Sequence, residues 1–197
     1  MIVYYCVMRV KDEIKRKAIM QATIELVNEI GFASSSVSKI AKRAQVSPAT
    51  LYVYFENKED LLVSTYIEIK RELGKAIMAD FDPSLPIRES LLQLGRRLFT
   101  YIGEYKEVFD YKEQFANSPL VDCVDSDQVE AVFKPLYELI QRGIDEQIIK
   151  DVPLELIHVH LFYPIYHLAN PRALPSFKTD NKTIDLALDM IWDALRR

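Results

Sequence analysis

Residues 46–62 read VSPATLYVYFENKEDLL. The stretch gathers the hydroxyls of Ser47, Thr50, Tyr52 and Tyr54 and the ammonium of Lys58. No histidine stands among them to act as a base. What hydroxyls and an ammonium do well together is donate hydrogen bonds to phosphate oxygens. The remaining chemically capable residues point nowhere in particular. His158 and His160 are two apart on a helix and face opposite sides, while His160 and His167 share a face but stand about 10 Å apart along it, too far for one ion. Glu155 and His158 form half of a di-iron helical motif whose second copy is missing. Cys6 and Cys123 fit no metal or disulfide spacing, which suits a reducing cytoplasm. There is no glycine-rich phosphate loop and no nucleophile elbow. The expectation is therefore no catalytic residue, no metal site and no cofactor.

The hydroxyls need elements to hold them. From Lys11 to Ile30, apolar residues at 14, 18, 19, 22, 26, 27 and 30 keep helical spacing, and Gly31 follows as a stop. In SSSVSKIAKRA one of Ser35 and Ser36 is a natural N-cap, and Val37, Ile40, Ala41 and Ala44 mark a short amphipathic helix. Val46 sits in a tight turn. Ser47 caps a third helix, about 48–54, and Pro48 occupies its first position, where a missing N–H costs nothing. Asn57 caps a fourth helix striped by Leu62, Tyr66 or Thr65, Ile69, Leu73 and Ile77. Further helical patterns cover about 87–103, 105–116, 128–147, 154–169 and 182–196. No strand alternation and no repeat appear. The class is all-α, with about nine helices.

A helix of seven residues does not persist alone in water and must be held by its neighbours. Two short helices around a tight turn, the second opening on small residues, form a helix-turn-helix, whose second helix reads base edges in the DNA major groove. Ser47, Pro48, Ala49 and Thr50 are small enough for close approach. Tyr52 and Tyr54 lie about 200° apart on a helix, so at least one points outward with its hydroxyl available to phosphate. Lys58 stands at the next helix N-terminus, where the dipole also attracts anions. The plain alternative is packing without any DNA.

The block 31–62, GFASSSVSKIAKRAQVSPATLYVYFENKEDLL, closely resembles the N-terminal DNA-binding domain of the tetracycline-repressor (TetR) family of transcriptional regulators. Gly31-Phe32, Val37, Ile40-Ala41, Val46-Ser47, Leu51-Tyr52, Tyr54-Phe55, Lys58-Glu59 and Leu61 keep the family's types and spacing. The resemblance covers roughly residues 11–65. It implies phosphate contacts for Ser36, Tyr52, Tyr54 and Lys58, and base or groove-wall contacts for Ser47, Pro48, Ala49, Thr50 and Val53. Two positions usually held by glycine differ. Gln45 fills the turn, where a β-carbon calls for a strained or altered turn, and Ala49 offers a methyl group beside the bases.

Charge agrees in sign. Residues 1–60 hold nine lysines and arginines against seven acidic residues, and the rest of the chain carries the excess of acid behind the net charge of −4. A polyanion would meet the N-terminal part. The expected organisation is a DNA-binding domain over 1–57 and a helical domain over 58–197. The resemblance implies that the second domain binds a small-molecule effector and forms a homodimer through its last helices. The stripe Ile184, Leu188, Ile191 and Leu195 needs a partner, either the core or a second chain, and with the resemblance it is the expected dimer seam. The implied function is a repressor released from a palindromic double-stranded operator; the alternative is a helical adaptor without specific DNA binding. Pro164 is expected to kink its helix. Aromatics in FTYIGEYKEVFDYKEQF and FYPIY line either core or cavity. No apolar run reaches the roughly 20 residues a bilayer takes, so no membrane partner is expected. The apolar start, MIVYYCV, is either a packed arm or lies upstream of a start at Met8.

Overall fold

The computed structural model describes residues 2–125, 127–170, 176–177 and 179–197, with side chains from Asp12 onward except that of Gln128. Among the described residues there are nine α-helices: α1 (Ile2–Ser34), α2 (Val37–Arg43), α3 (Pro48–Tyr54), α4 (Lys58–Met78), α5 (Ile87–Glu104), α6 (Lys106–Ala116), α7 (Asp127–Asp145), α8 (Leu154–Ala169) and α9 (Asn181–Leu195). A 3-10 turn, Pro119–Cys123, follows α6, and the described β pairing is a single bridge between Ile149 and Arg196. The all-α reading holds, and boundaries from α2 onward lie close to those expected. The helix α1 starts nine residues early. Residues 2–10 contain no glycine, proline or capping side chain to stop it. Its break falls at Gly31, with φ 76° and ψ 168°, a conformation glycine adopts at no steric cost. No helix among the described residues is long and apolar enough to cross a membrane.

Packing divides the chain into two compact units, and the division is not at residue 57. The first unit holds the chain up to Lys70 together with Glu107–Asp125; the second holds Arg71–Lys106 and the remainder. The reason lies in α1, which is apolar on two faces. Ile19, Met20, Ala22 and Leu26 cover Ile40 and Ala41 of α2, Leu51 of α3 and Phe55. Ile24 and Val27 cover a second cluster, with Leu62, Tyr66 and Ile69 of α4 and Tyr111 and Phe115 of α6. Tyr66 stacks on Phe115 at 4.3 Å, and the Tyr111 hydroxyl donates to the Leu62 carbonyl at 2.9 Å. The aromatics of α6 are core. Ile14 and Ala18, placed on the stripe by spacing, are exposed.

In the second unit α5, α8 and α9 pack on one another, and α7 packs on α5. Gly95 of α5 lets α9 come close: a β-carbon there would stand 2.3 Å from a Leu188 methyl and 3.3 Å from Ile165. Arg88–Asp189 at 2.6 Å and Arg96–Asp185 at 2.7 Å flank this seam. The expected dimer stripe is therefore corrected. Ile184, Leu188, Ile191 and Leu195 are buried against the chain's own helices, Leu188 at 1% exposure. The outward face of α9 carries Leu186 and Met190 instead, 58% and 73% exposed. The helix α8 continues through Pro164 and buries Ile157, Leu161, Phe162 and Ile165, while Leu156, Val159 and Tyr163 stay exposed.

Candidate nucleic-acid interface

The turn between α2 and α3 is built by backbone bonds. The Val46 N–H reaches the Ala41 carbonyl at 3.0 Å and the Gln45 N–H reaches Lys42 at 3.2 Å, the Schellman pattern of helix termination. Gln45 takes the left-handed position glycine usually fills, with φ 56°, at a cost of about 1–2 kcal/mol. The turn survives the substitution, because Val46 packs back on the α1–α2–α3 cluster. The side chain of Ser47 accepts the Thr50 N–H at 3.1 Å and lies 2.9 Å from the Thr50 hydroxyl. With Pro48 at the first position, the start of α3 is fixed as expected.

The candidate residues separate into distinct environments. Ser47, Pro48 and Ala49 are exposed at the N-terminal end of α3, and Thr50 is half-buried beside them. Tyr52 and Val53 point outward, 55% and 76% exposed, and Leu51 is fully buried beneath. A valine so exposed has no packing role in the free protein. Ser36 caps α2, accepting the Lys39 N–H at 3.3 Å, and keeps its hydroxyl proton available. At the start of α4 the Lys58 ammonium donates to the Phe32 carbonyl at 2.6 Å, which aims it and leaves two donors. Asn57 accepts the Asp60 N–H at 2.9 Å, and Asp60 accepts the Glu56 N–H at 2.8 Å, so that helix end is capped from both sides.

Tyr54 is held differently. Its ring packs on the cluster behind α3 and its hydroxyl donates to the Asp12 carboxylate of α1 at 2.6 Å. That bond, with burial and the carboxylate charge, pushes the phenol up to about 12. A phenol has one proton to donate and phosphate only accepts. In this arrangement Tyr54 has nothing left for a phosphate. Asp12, forty-two positions away, was not legible in the motif; no local spacing links it to Tyr54.

The other residues singled out by type stay apart. His158 packs on Phe162 at 4.8 Å and the His160 ring lies 2.8 Å from the Leu156 carbonyl. Among the described residues no three of His, Cys, Asp and Glu come together as metal ligands would. The second unit has an open cleft of about 420 Å³ bordered by Lys134, Tyr137, Gln141, Ile144, Asp151 and Leu154, within the range of small-molecule sites.

A family model for bacterial regulatory proteins of the tetR family matches residues 19–65, and one for the C-terminal domain of tetracycline-repressor-like proteins matches 86–196. A solved TetR-family transcription regulator from Marinobacter aquaeolei is 34% identical, covers 95% of this chain and 98% of its own, and superposes with a TM-score of 0.84. The fatty acid metabolism regulator protein of Bacillus subtilis is 38% identical over 89 residues, 45% of this chain and 46% of the relative. The matched stretch thus spans about half the length of that curated relative. The transcriptional regulator FadR from Bacillus subtilis, solved in complex with stearoyl-CoA, shares the fold at a TM-score of 0.66 and 23% identity, over 90% of this chain and 95% of its own.

Proposed function

The chain belongs to the TetR family of transcriptional regulators, and on that premise we propose that it is a repressor, bound as a homodimer to a near-palindromic operator and released by a small-molecule effector. The observation that carries the DNA reading is the start of α3. It is a rigid end of small exposed residues, backed by buried Leu51 and flanked by Tyr52 and Lys58. A helix set this way enters a major groove N-terminus first. A helical adaptor that had lost DNA binding would be favoured by a turn disrupted at Gln45, and that turn is closed in the Schellman pattern.

In this reading Lys58 and Tyr52 position the backbone while Thr50, Ala49 and Val53 meet bases. Lys58→Ala should weaken binding to all sequences alike and lower the salt dependence by about one phosphate contact. Thr50→Ala should relax preference at one base pair, for about 1–3 kcal/mol. Operator titrations over a salt series, with single base-pair changes, separate the two. A Lys58→Ala variant that altered base preference would contradict the assignment.

Asp12 works against binding. Asp12→Asn keeps the shape, removes a negative charge beside the phosphates and loosens the hold on Tyr54. It should tighten operator binding about tenfold, the worth of one charge-assisted hydrogen bond. In a Tyr54→Phe background the share that comes from the freed hydroxyl should be lost, leaving only the smaller, salt-screened charge effect. Unchanged or weaker binding would show that Asp12 only braces α3.

Dimerisation is assigned to the outward face of α8 and α9. Apolar residues on both sides of a helix signal a second buried contact. Leu156, Val159 and Tyr163 of α8 and Leu186 and Met190 of α9 supply one. Each protomer carries one reading helix, and two of them bind half-sites about 34–36 Å apart. An effector that favours a dimer with those helices at another spacing lowers operator affinity, and the operator lowers effector affinity by the same factor.

A further inference from the structure

Two histidines lie on the outward face of α8, and the DNA reading uses neither. His160 and His167 are both exposed. Leu156, His160, Tyr163 and His167 follow one another at four, three and four residues, so they form one stripe along the helix. His160 stands inside the apolar patch. Leu156 is one turn before it, Tyr163 one turn after it and Val159 beside it, and all three are exposed. His167 stands past the last of them. The His160 Nδ1 lies 2.8 Å from the Leu156 carbonyl. A carbonyl only accepts, so Nδ1 carries the proton and Nε2 is bare in the neutral ring.

The charged groups around His160 do not favour a second charge there. The bridge between Ile149 and Arg196 brings Lys150 to the end of α9, where its ammonium donates to the Ala194 carbonyl at 2.6 Å. Lys150 and His160 border one groove of about 190 Å³, whose other walls are the apolar Val152, Leu156, Ile157, Ala194 and Leu195. The charge already in that groove therefore has the sign of a protonated ring. On α9, packed against α8, each carboxylate near this face is paired: Asp185 with Arg96 of α5 at 2.7 Å, Asp189 with Arg88 of α5 at 2.6 Å, and Asp193 with Arg196 at 2.9 Å. Arg197 ends the chain beside Ile148. Asp151 borders the larger cleft beyond Val152. On α8 itself Glu155 lies about 140° round the helix from His160, and His158 packs on Phe162.

We propose that His160 is a pH sensor in the dimer contact: neutral, it is buried between two copies of the chain, and protonated, it separates them. This rests on the α8–α9 dimer reading above. An imidazolium in an apolar contact, with no carboxylate set against it, loses its hydration without compensation. The dimer therefore takes only the neutral ring, while the monomer takes either form. The dimer is then favoured above the ordinary imidazole range, near pH ~6.5, and is lost as pH falls through it. Each protomer brings one His160. The dissociation constant should rise about tenfold for each ring, about a hundredfold in all, between pH 7.5 and pH 5.5. Because specific binding needs both reading helices, mild acid weakens operator binding in step.

The test is sedimentation equilibrium of the full chain from pH 7.5 to pH 5.5 at constant ionic strength, with helical content followed by circular dichroism. The parent should dissociate about a hundredfold more readily at the acid end while keeping its helices. His160→Gln, which can still donate to the Leu156 carbonyl, and His160→Leu should stay dimeric across the range, and His167→Gln should keep the dependence of the parent. A parent whose dissociation constant does not change with pH would overturn the sensor. So would an acid rise that persists in both His160 variants, or one that His167→Gln abolishes. Val159→Glu at pH 7.5 reports separately on the contact. If it stays dimeric, the α8–α9 reading and the sensor fail together; if it is monomeric while the parent shows no pH dependence, the sensor alone fails.

Discussion

Val159→Glu and Met190→Glu should each give a folded monomer that no longer finds its operator. Both side chains are exposed, 45% and 73%, so neither change disturbs the subunit's own core. In the dimer each would bury a carboxylate in an apolar contact at a cost of several kcal/mol. A monomer presents one reading helix, and one such module covers too little DNA for specific binding. Operator affinity should fall about a thousandfold, towards the non-specific level. Sedimentation and operator titration on the same sample decide the matter. A variant that stays dimeric and binds normally would remove α8 and α9 from the interface.

Leu188→Ala should do the opposite, destabilising the subunit by about 3–5 kcal/mol, the range for emptying a well-packed leucine site. The side chain is 1% exposed and meets the backbone of α5 at Gly95. The converse change, Gly95→Ala, brings a methyl within 2.3 Å of Leu188 and should cost about 1–3 kcal/mol by overpacking. In the double variant that methyl enters the space the leucine vacated, so the combined loss should be smaller than the sum. Denaturant unfolding of the four proteins measures the coupling. Additive losses would mean that the two residues do not share one space.

Met190 and Leu188 lie on opposite faces of α9, and they mark where sequence reading stopped. Spacing showed that α9 has an apolar stripe and placed its residues correctly. It could not say whether the stripe meets the chain's own α5 and α8 or a second chain, because burial of either kind selects the same side chains. The same limit applies to α1. Its second apolar face, through Ile24 and Val27, belongs to a partner helix eighty positions further on, and nothing local announced that α6 would join the first unit. Caps and breakers are local, and these were legible: Ser36, Ser47 with Pro48, Asn57 and Gly31 fixed the helix-turn-helix to within a residue. Ser47, Pro48 and Ala49 followed from that geometry, which left Tyr52 and Tyr54 open, while Val53 came only from the family resemblance. What escaped was a contact across long sequence separation, that of Asp12 with Tyr54.

The central claim is that the exposed start of α3 reads a specific DNA sequence. Purified protein should be mixed with a fragmented genomic library at physiological salt, and the retained fragments sequenced and footprinted. The account predicts a small set of fragments sharing a near-palindrome, with half-site centres about 34–36 Å apart along the duplex. Retention of no fragment above the non-specific background would contradict it.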